Sequence, residues 1–255
     1  MLFTVNGKTQ KVKVSEASTA SNSAYKVFRC GVTAKEMTDT ITSRFYLADG
    51  TAVGSAFTYT IREYANYILT HDSYTQKAKD VVKAMLNYGA CSQKYFNYRM
   101  NSLANSVLPE NERLTQISSP DAIGIKTPGE GCLTPVKVRL SLKSTVTLKL
   151  YFNSEDAEGK IFKSNGKTLE TVKSGGYTVV IIDNISASHI HSGVGFDVCE
   201  NDAKIGNVVY SPAKYIKIVL SMPTDNVITD DLKLAVSSLY NFNQALQSYI
   251  QSRVY

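Results

Sequence analysis

The chain has 255 residues, of which 43% are hydrophobic and 20% charged, a balance that suits one large core or several small ones and excludes an intrinsically disordered chain. No apolar run approaches the roughly 20 residues of a membrane-spanning helix, so membrane insertion is not expected. The net charge of +6 is carried by dispersed lysines with no run of four or more basic residues, so nucleic acid is not the expected partner either.

In chain order, the strand-like Leu2-Phe3-Thr4-Val5 runs into Asn6-Gly7. Asn-Gly is the strongest two-residue hairpin signal, because both residues accept positive φ. Thr60-Ile61-Arg62-Glu63 is a capping box: the Thr60 hydroxyl and the Glu63 carboxylate satisfy amides that the first helical turn leaves free. It predicts a helix over 61–70. A longer helix is expected over 76–97, where Val81, Met85, Tyr88, Ser92 and Tyr95 recur at helical spacing as one buried stripe. From Arg99 onward, Pro109, Pro120 and Pro128 with Gly124, Gly129 and Gly131 punctuate a linker, and Leu103 to Leu108 is expected as one helical turn.

Val136 to Leu142 and Thr145 to Phe152 then alternate with period two, the pattern of strands with one buried face. Tyr177 to Ile182 is continuously apolar and reads as a central strand. Ser211-Pro212 is an N-cap followed by proline at the first helical position, opening a helix over 212–221. The last helix is expected over 230–250, with Asp230-Asp231 at its positive dipole end and a stripe of Leu232, Ala235, Leu239, Phe242, Leu246 and Tyr249. Tyr88, Tyr95, Leu239 and Phe242 are expected to be buried.

Four blocks recur in the same order at separations of 151 to 159 residues. Val5-Asn6-Gly7-Lys8-Thr9 answers Ser164-Asn165-Gly166-Lys167-Thr168, and Tyr25-Lys26-Val27-Phe28 answers Tyr177-Thr178-Val179-Val180. Thr60 to Tyr64 answers Ser211 to Tyr215, and Leu86-Asn87-Tyr88 answers Tyr240-Asn241-Phe242. The expected fold is therefore α+β: two tandem copies of a β-sandwich-like segment followed by a helical hairpin. The first copy has no room for the strands that precede Asn165-Gly166 in the second, so it is expected to be truncated at its N-terminus, with its opening strands lying before Met1. The expected organisation is a partial β segment over 1–60, a helical hairpin over 61–98, a linker over 99–132, a second β segment over 133–210 and a second hairpin over 211–255.

Little in the sequence points to chemistry. Cys30, Cys91, Cys132 and Cys199 form no Cys-x-x-Cys pair, which argues against zinc and redox roles. Two disulfides among them would allow three connectivities in a secreted chain. His189 and His191 stand two apart in a strand-like segment, an arrangement that puts two potential ligands on one side, but only His71 remains as a third histidine. In the repeat they answer Glu36 and Thr38, so the scaffold does not require them. Glu155, Asp156 and Glu158 match neither a calcium loop nor a glycosidase pair and read as a solvated turn. No nucleophile elbow, phosphate loop or dinucleotide fingerprint occurs. Neither an enzyme, a cofactor nor a metal site is expected.

Ile61-Arg62-Glu63-Tyr64-Ala65, Val82 to Ala90 and Gln93-Lys94-Tyr95-Phe96 resemble a module that recurs in large secreted or wall-attached proteins of gram-positive gut anaerobes. Tyr210-Ser211-Pro212 and Leu239-Tyr240-Asn241 with Gln244-Ala245 are similar to the same module. The resemblance implies an extracellular or cell-wall-attached, repeated, non-catalytic protein and supplies no catalytic residues. The expected function is binding or adhesion to a host protein, with immunoglobulin or a mucosal glycoprotein as the partner class. The alternatives are a carbohydrate-binding module of a secreted enzyme, weakened by the absence of tryptophan, and a structural stalk. A ligand site should use residues that the copies do not share. Tyr74, in the first helix–helix turn, and Tyr98, at the end of the second helix, are the candidate binding residues, since tyrosine suits exposed contact. The competing reading packs both on the 99–131 linker.

Overall fold

The computed structural model describes residues 1–19, 24–125, 132–143 and 145–253. The fold is α+β, with several antiparallel sheets and, among the described residues, five α-helices. It divides into two compact units, Met1–Arg113 and Leu114–Tyr255.

In the first unit, β1 (Leu2–Val5) and β2 (Lys8–Lys11) form a hairpin across Asn6 (φ 48°) and Gly7 (φ 75°). A short pair follows, β3 (Ser18–Thr19) with β4 (Lys26–Val27), and then β5 (Ile41–Tyr46) and β6 (Ala52–Tyr59). β1, β2, β5 and β6 make one antiparallel sheet of order β2-β1-β5-β6. Helices α1 (Ile61–Thr70) and α2 (Gln76–Tyr95) complete the unit. The capping box forms as the sequence predicts: the Glu63 amide donates to Thr60 Oγ1 at 3.0 Å, and the Thr60 amide donates to Glu63 Oε2 at 2.8 Å. The helical core joins Ala65 of α1 with Val82 and Leu86 of α2, Met37, and Ala104 and Leu108 of the downstream segment.

The segment after α2 is therefore not a free linker. The Gln93 side chain accepts from the Ala104 amide at 2.7 Å and donates to the Ser102 carbonyl at 3.1 Å. Because 104–108 covers one side of α2 and the 34–37 turn the other, the buried face is wider than one stripe. It includes Val82, Leu86, Gly89, Ala90 and Gln93, while Val81 and Met85 of the expected stripe are half-buried and Tyr95 is likewise only half-buried.

In the second unit, β7 (Lys137–Ser141) and β8 (Thr147–Asn153) precede β9 (Lys160–Ser164) and β10 (Lys167–Thr168), which turn at Asn165 (φ 49°) and Gly166 (φ 75°). β11 (Glu170–Ser174), β12 (Tyr177–Ile182), the one-turn α3 (His189–Ser192), β13 (Val194–Glu200) and β14 (Ala203–Tyr210) follow, then α4 (Pro212–Ser221) and α5 (Asp230–Gln251). Two four-stranded sheets result, β10-β9-β13-β14 and β11-β12-β8-β7, and Tyr177–Ile182 lies inside the latter, as its continuous apolar text predicts. Phe152 of β8 meets Phe162 of β9 at 5.9 Å and Phe196 of β13 at 6.4 Å between ring centroids, so the two sheets pack face to face.

Three local expectations are corrected. Residues 189–191 form α3, not a strand. Ser211 stands at the N-cap of α4 but makes no cap bond; its hydroxyl donates to the carbonyls of Ile190 and His191, tying α4 to α3. Leu239 is fully buried, but Phe242 is half-buried, because the burial of α5 is concentrated at Leu232, Ala235 to Tyr240 and Asn243. Among the described residues no disulfide joins the four cysteines.

Candidate functional site

The sequence singled out Tyr74 and Tyr98, and the structure sets them apart. They flank α2, a helix of 20 residues, which at 1.5 Å per residue separates them by roughly 30 Å.

Tyr98 is a strut. Its hydroxyl donates to Asp39 Oδ2 at 2.6 Å and accepts from Asn6 Nδ2 at 3.1 Å. Asp39 is 1% exposed and also pairs with Arg99. Desolvation, followed by the bond to the Asp39 carboxylate, raises the Tyr98 phenol above its ordinary range. Lys35 and Arg99 lie over its ring at 5.3 and 5.8 Å. Those bonds fix the end of α2 to residues 6 and 39 and leave the hydroxyl no donor for a partner.

Tyr74 belongs to a surface cluster. Its ring meets that of Tyr67 edge-on at 6.3 Å, and its hydroxyl lies near that of Tyr64. Tyr67 stacks on His71 at 3.7 Å, and His71 Nδ1 lies 2.7 Å from the Tyr67 carbonyl. Helical spacing produces this grouping: positions 64, 67 and 71 are three and four residues apart and share one face of α1. That face is turned away from the core at Ala65, and Tyr64 is 57% and Tyr67 48% exposed. Desolvation and the neighbouring Tyr64 and Tyr67 raise the Tyr74 phenol, so its hydroxyl acts as a neutral donor and acceptor at neutral pH.

A groove of about 600 Å³ runs along the same helix, lined by Arg62, Glu63, Asn66, Tyr67 and Thr70 with Ser106 and Val107 opposite. Arg62 Nη1 is held by Ser102 Oγ at 3.0 Å and Ser106 Oγ at 3.2 Å. The combination of flat aromatic surface with fixed polar groups suits a macromolecular contact that tolerates water at its rim. Sequence reasoning reached Tyr74 but missed Tyr64 and Tyr67, whose three-residue spacing on α1 was the available signal.

The other candidates do not assemble. His189 is exposed while His191 Nδ1 sits 3.0 Å from the Gly124 carbonyl, and two residues apart on a helix they face different ways. Glu155, Asp156 and Glu158 lie exposed between β8 and β9. Among the described residues, no three His, Cys, Asp or Glu side chains are grouped to hold a metal ion, and no helix is long and apolar enough to cross a membrane. In comparisons with known proteins, no family model matches the chain, and neither a curated protein nor a solved structure does.

Proposed function

We propose that this chain is a non-catalytic extracellular binding module built from two copies of one β-sheet-plus-helical-hairpin unit, and that its first unit binds a host protein through Tyr64, Tyr67 and Tyr74. Three likenesses support the reading as copies. The sheets β2-β1-β5-β6 and β10-β9-β13-β14 share strand order and orientation. Their Asn-Gly turns share φ values, and each sheet leads into a 10-residue helix followed by one of 20 or 22. The third lies at the joint between the long helix and the preceding turn. A Cβ on Gly89 would stand 3.1 Å from the Ala34 carbonyl, while Asn243 donates its Nδ2 to the Ala187 carbonyl.

The observation that carries the binding reading is the exposed tyrosine cluster. In the second unit Tyr215 answers Tyr64, but Ile218 takes the place of Tyr67 and Tyr74 has no clear counterpart, so Tyr67 and Tyr74 belong to the first unit alone and are not needed by the scaffold. Aromatic anchors with polar handles dominate protein interfaces at low entropic cost. The extracellular setting and the partner class, immunoglobulin or a mucosal glycoprotein, follow the sequence resemblance. A carbohydrate ligand is the second reading, favoured by Arg62, Glu63 and Asn66 in the groove beside the Tyr67 ring.

The test is capture of purified immunoglobulin and mucosal glycoproteins on the immobilised chain, with a glycan array alongside. Retention should fall at least about tenfold in a Tyr67→Ala, Tyr74→Ala variant while the unfolding temperature is unchanged. Undiminished retention by the folded variant would remove the cluster from the site. Glycan binding without protein capture would move the reading to carbohydrate.

A further inference from the structure

The sheet β11-β12-β8-β7 of the second unit turns one face inward, where Leu148, Leu150 and Phe152 of β8 are buried. Register defines its outer face. Lys137 lies opposite Tyr151, and Tyr151 opposite Val179; Arg139 lies opposite Lys149, and Lys149 opposite Ile181. Residues directly opposite in an antiparallel pair share a face, and so do residues two apart along a strand. On this face Thr147 and Val179 are buried, Lys149, Tyr151 and Tyr177 are half-buried, and Lys137 and Arg139 are exposed.

Three cations therefore meet on two adjacent strands. Lys137 Nζ lies 5.4 Å from the centre of the Tyr151 ring and Arg139 Cζ lies 5.9 Å from it, so one ring draws both charges together. Arg139 directly opposite Lys149 is a like-charge pair, which costs stability in a sheet. Among the described residues none of the three cations forms an ion pair. Glu170 shares their row but stands on β11, two strands from Lys149, or about 10 Å at the usual strand spacing. Asp183, at the end of the face, accepts from Thr147 Oγ1 at 2.7 Å. A repulsive cluster that the chain does not neutralise is complementary to an anion supplied from outside.

We propose that this outer face binds a sulfated polysaccharide, with Lys137, Arg139 and Lys149 receiving its sulfate groups. The planar fork of arginine and the point charges of two lysines suit oxyanions carried on a flexible chain. Single-stranded nucleic acid is the rival polyanion, and it binds by stacking bases on aromatic rings along a basic groove. Here Lys137 and Arg139 already lie over the Tyr151 ring, and the cations form one compact cluster on two strands instead of a track. The site belongs to the second unit, so it goes beyond the tyrosine cluster of the first and does not rest on it.

The experiment titrates heparin into the full chain by calorimetry. A net charge of +6 attracts any polyanion, so the comparison is between two variants of equal charge. Lys137→Ala, Arg139→Ala, Lys149→Ala should weaken binding at least about tenfold, because it removes the whole cluster. Lys8→Ala, Lys11→Ala, Lys167→Ala, at exposed positions of β2 and β10, should weaken it less than about threefold. Equal weakening would mean diffuse attraction and overturns the proposal. So does single-stranded DNA that binds the parent chain as tightly as heparin does. Arg139→Gln alone is a smaller change that decides the matter if the triple variant does not fold: it should weaken heparin binding at least about threefold, and undiminished binding overturns the proposal. The Tyr67→Ala, Tyr74→Ala variant should bind heparin as the parent does, so the two sites fail separately. Loss of heparin binding in that variant would place the sugar on the first unit and overturn the assignment to this face.

Discussion

Phe162 in the second unit and Phe57 in the first both stand on strands of similar sheets, and they meet opposite fates. Phe162 is 1% exposed between Phe152 and Phe196, and Phe57 is 65% exposed beside Tyr59. Neither strand's own sequence decides this. β9 is an inner strand that packs under β8, whereas β6 is the edge strand of its sheet, and Phe57 stands out beyond Phe3 and Ile41, which are buried on the same face. Apolar text on a strand thus specifies which face can be buried, and the strand's place in the sheet and a second layer decide whether it is.

The largest effect should come from testing that contrast directly. Phe162→Ala should cost about 3–5 kcal/mol, because it removes a fully buried ring from a three-ring cluster, whereas Phe57→Ala should change stability by less than about 0.5 kcal/mol. Denaturant unfolding of the two variants measures both, and equal costs would break the comparison.

The helix–turn joint sharpens it next. In the first unit Gly89 leaves no room: an added Cβ would lie 2.7 Å from Met37 Sδ and 2.9 Å from Ala104 Cβ. Gly89→Ala should therefore destabilise by about 1–3 kcal/mol through overpacking, despite alanine's better helix propensity. The second unit keeps Asn243 there and spans the gap with a hydrogen bond to the Ala187 carbonyl. A Gly89→Ala chain as stable as the parent by thermal unfolding would show that the two joints are not alternative solutions of one packing problem.

Tyr98 and Tyr74 should separate in the same way. Tyr98→Phe deletes the donor to buried Asp39 and should cost about 1–2 kcal/mol with partner binding intact. Tyr74→Ala should affect binding and leave stability within about 1 kcal/mol. The last effect is alkaline. Burial pushes the Tyr210 phenol up to about 12, from an ordinary value of 10.0. The folded state then holds a proton that the unfolded state releases, so this contribution is intact below pH 10 and is lost as pH rises from 10 to about 12. A Tyr210→Phe variant should show a flatter alkaline limb, and an unaltered limb would exclude Tyr210 as its source.

How much of this was legible depends on the range of the interaction. Thr60-Ile61-Arg62-Glu63 specified the start of α1 to the residue, because a capping box closes within four residues. Asn6-Gly7 and Asn165-Gly166 specified their turns for the same local reason. The alternating text of β7 and β8 and the apolar run of β12 marked strands correctly within one or two residues.

What failed was set by distant neighbours. The stripe on α2 broadened because 34–37 and 104–108 pack on two sides of it. Ser211 gave up its capping bond to reach carbonyls 21 and 20 residues earlier. Tyr98, exposed by its position at a helix end, was drawn onto Asp39, 59 residues away. The sequence by itself determined the elements, their ends and their turns, since those energies are local. Only the tertiary structure decided which faces are covered and which tyrosines stay free, since burial depends on what the rest of the chain brings alongside.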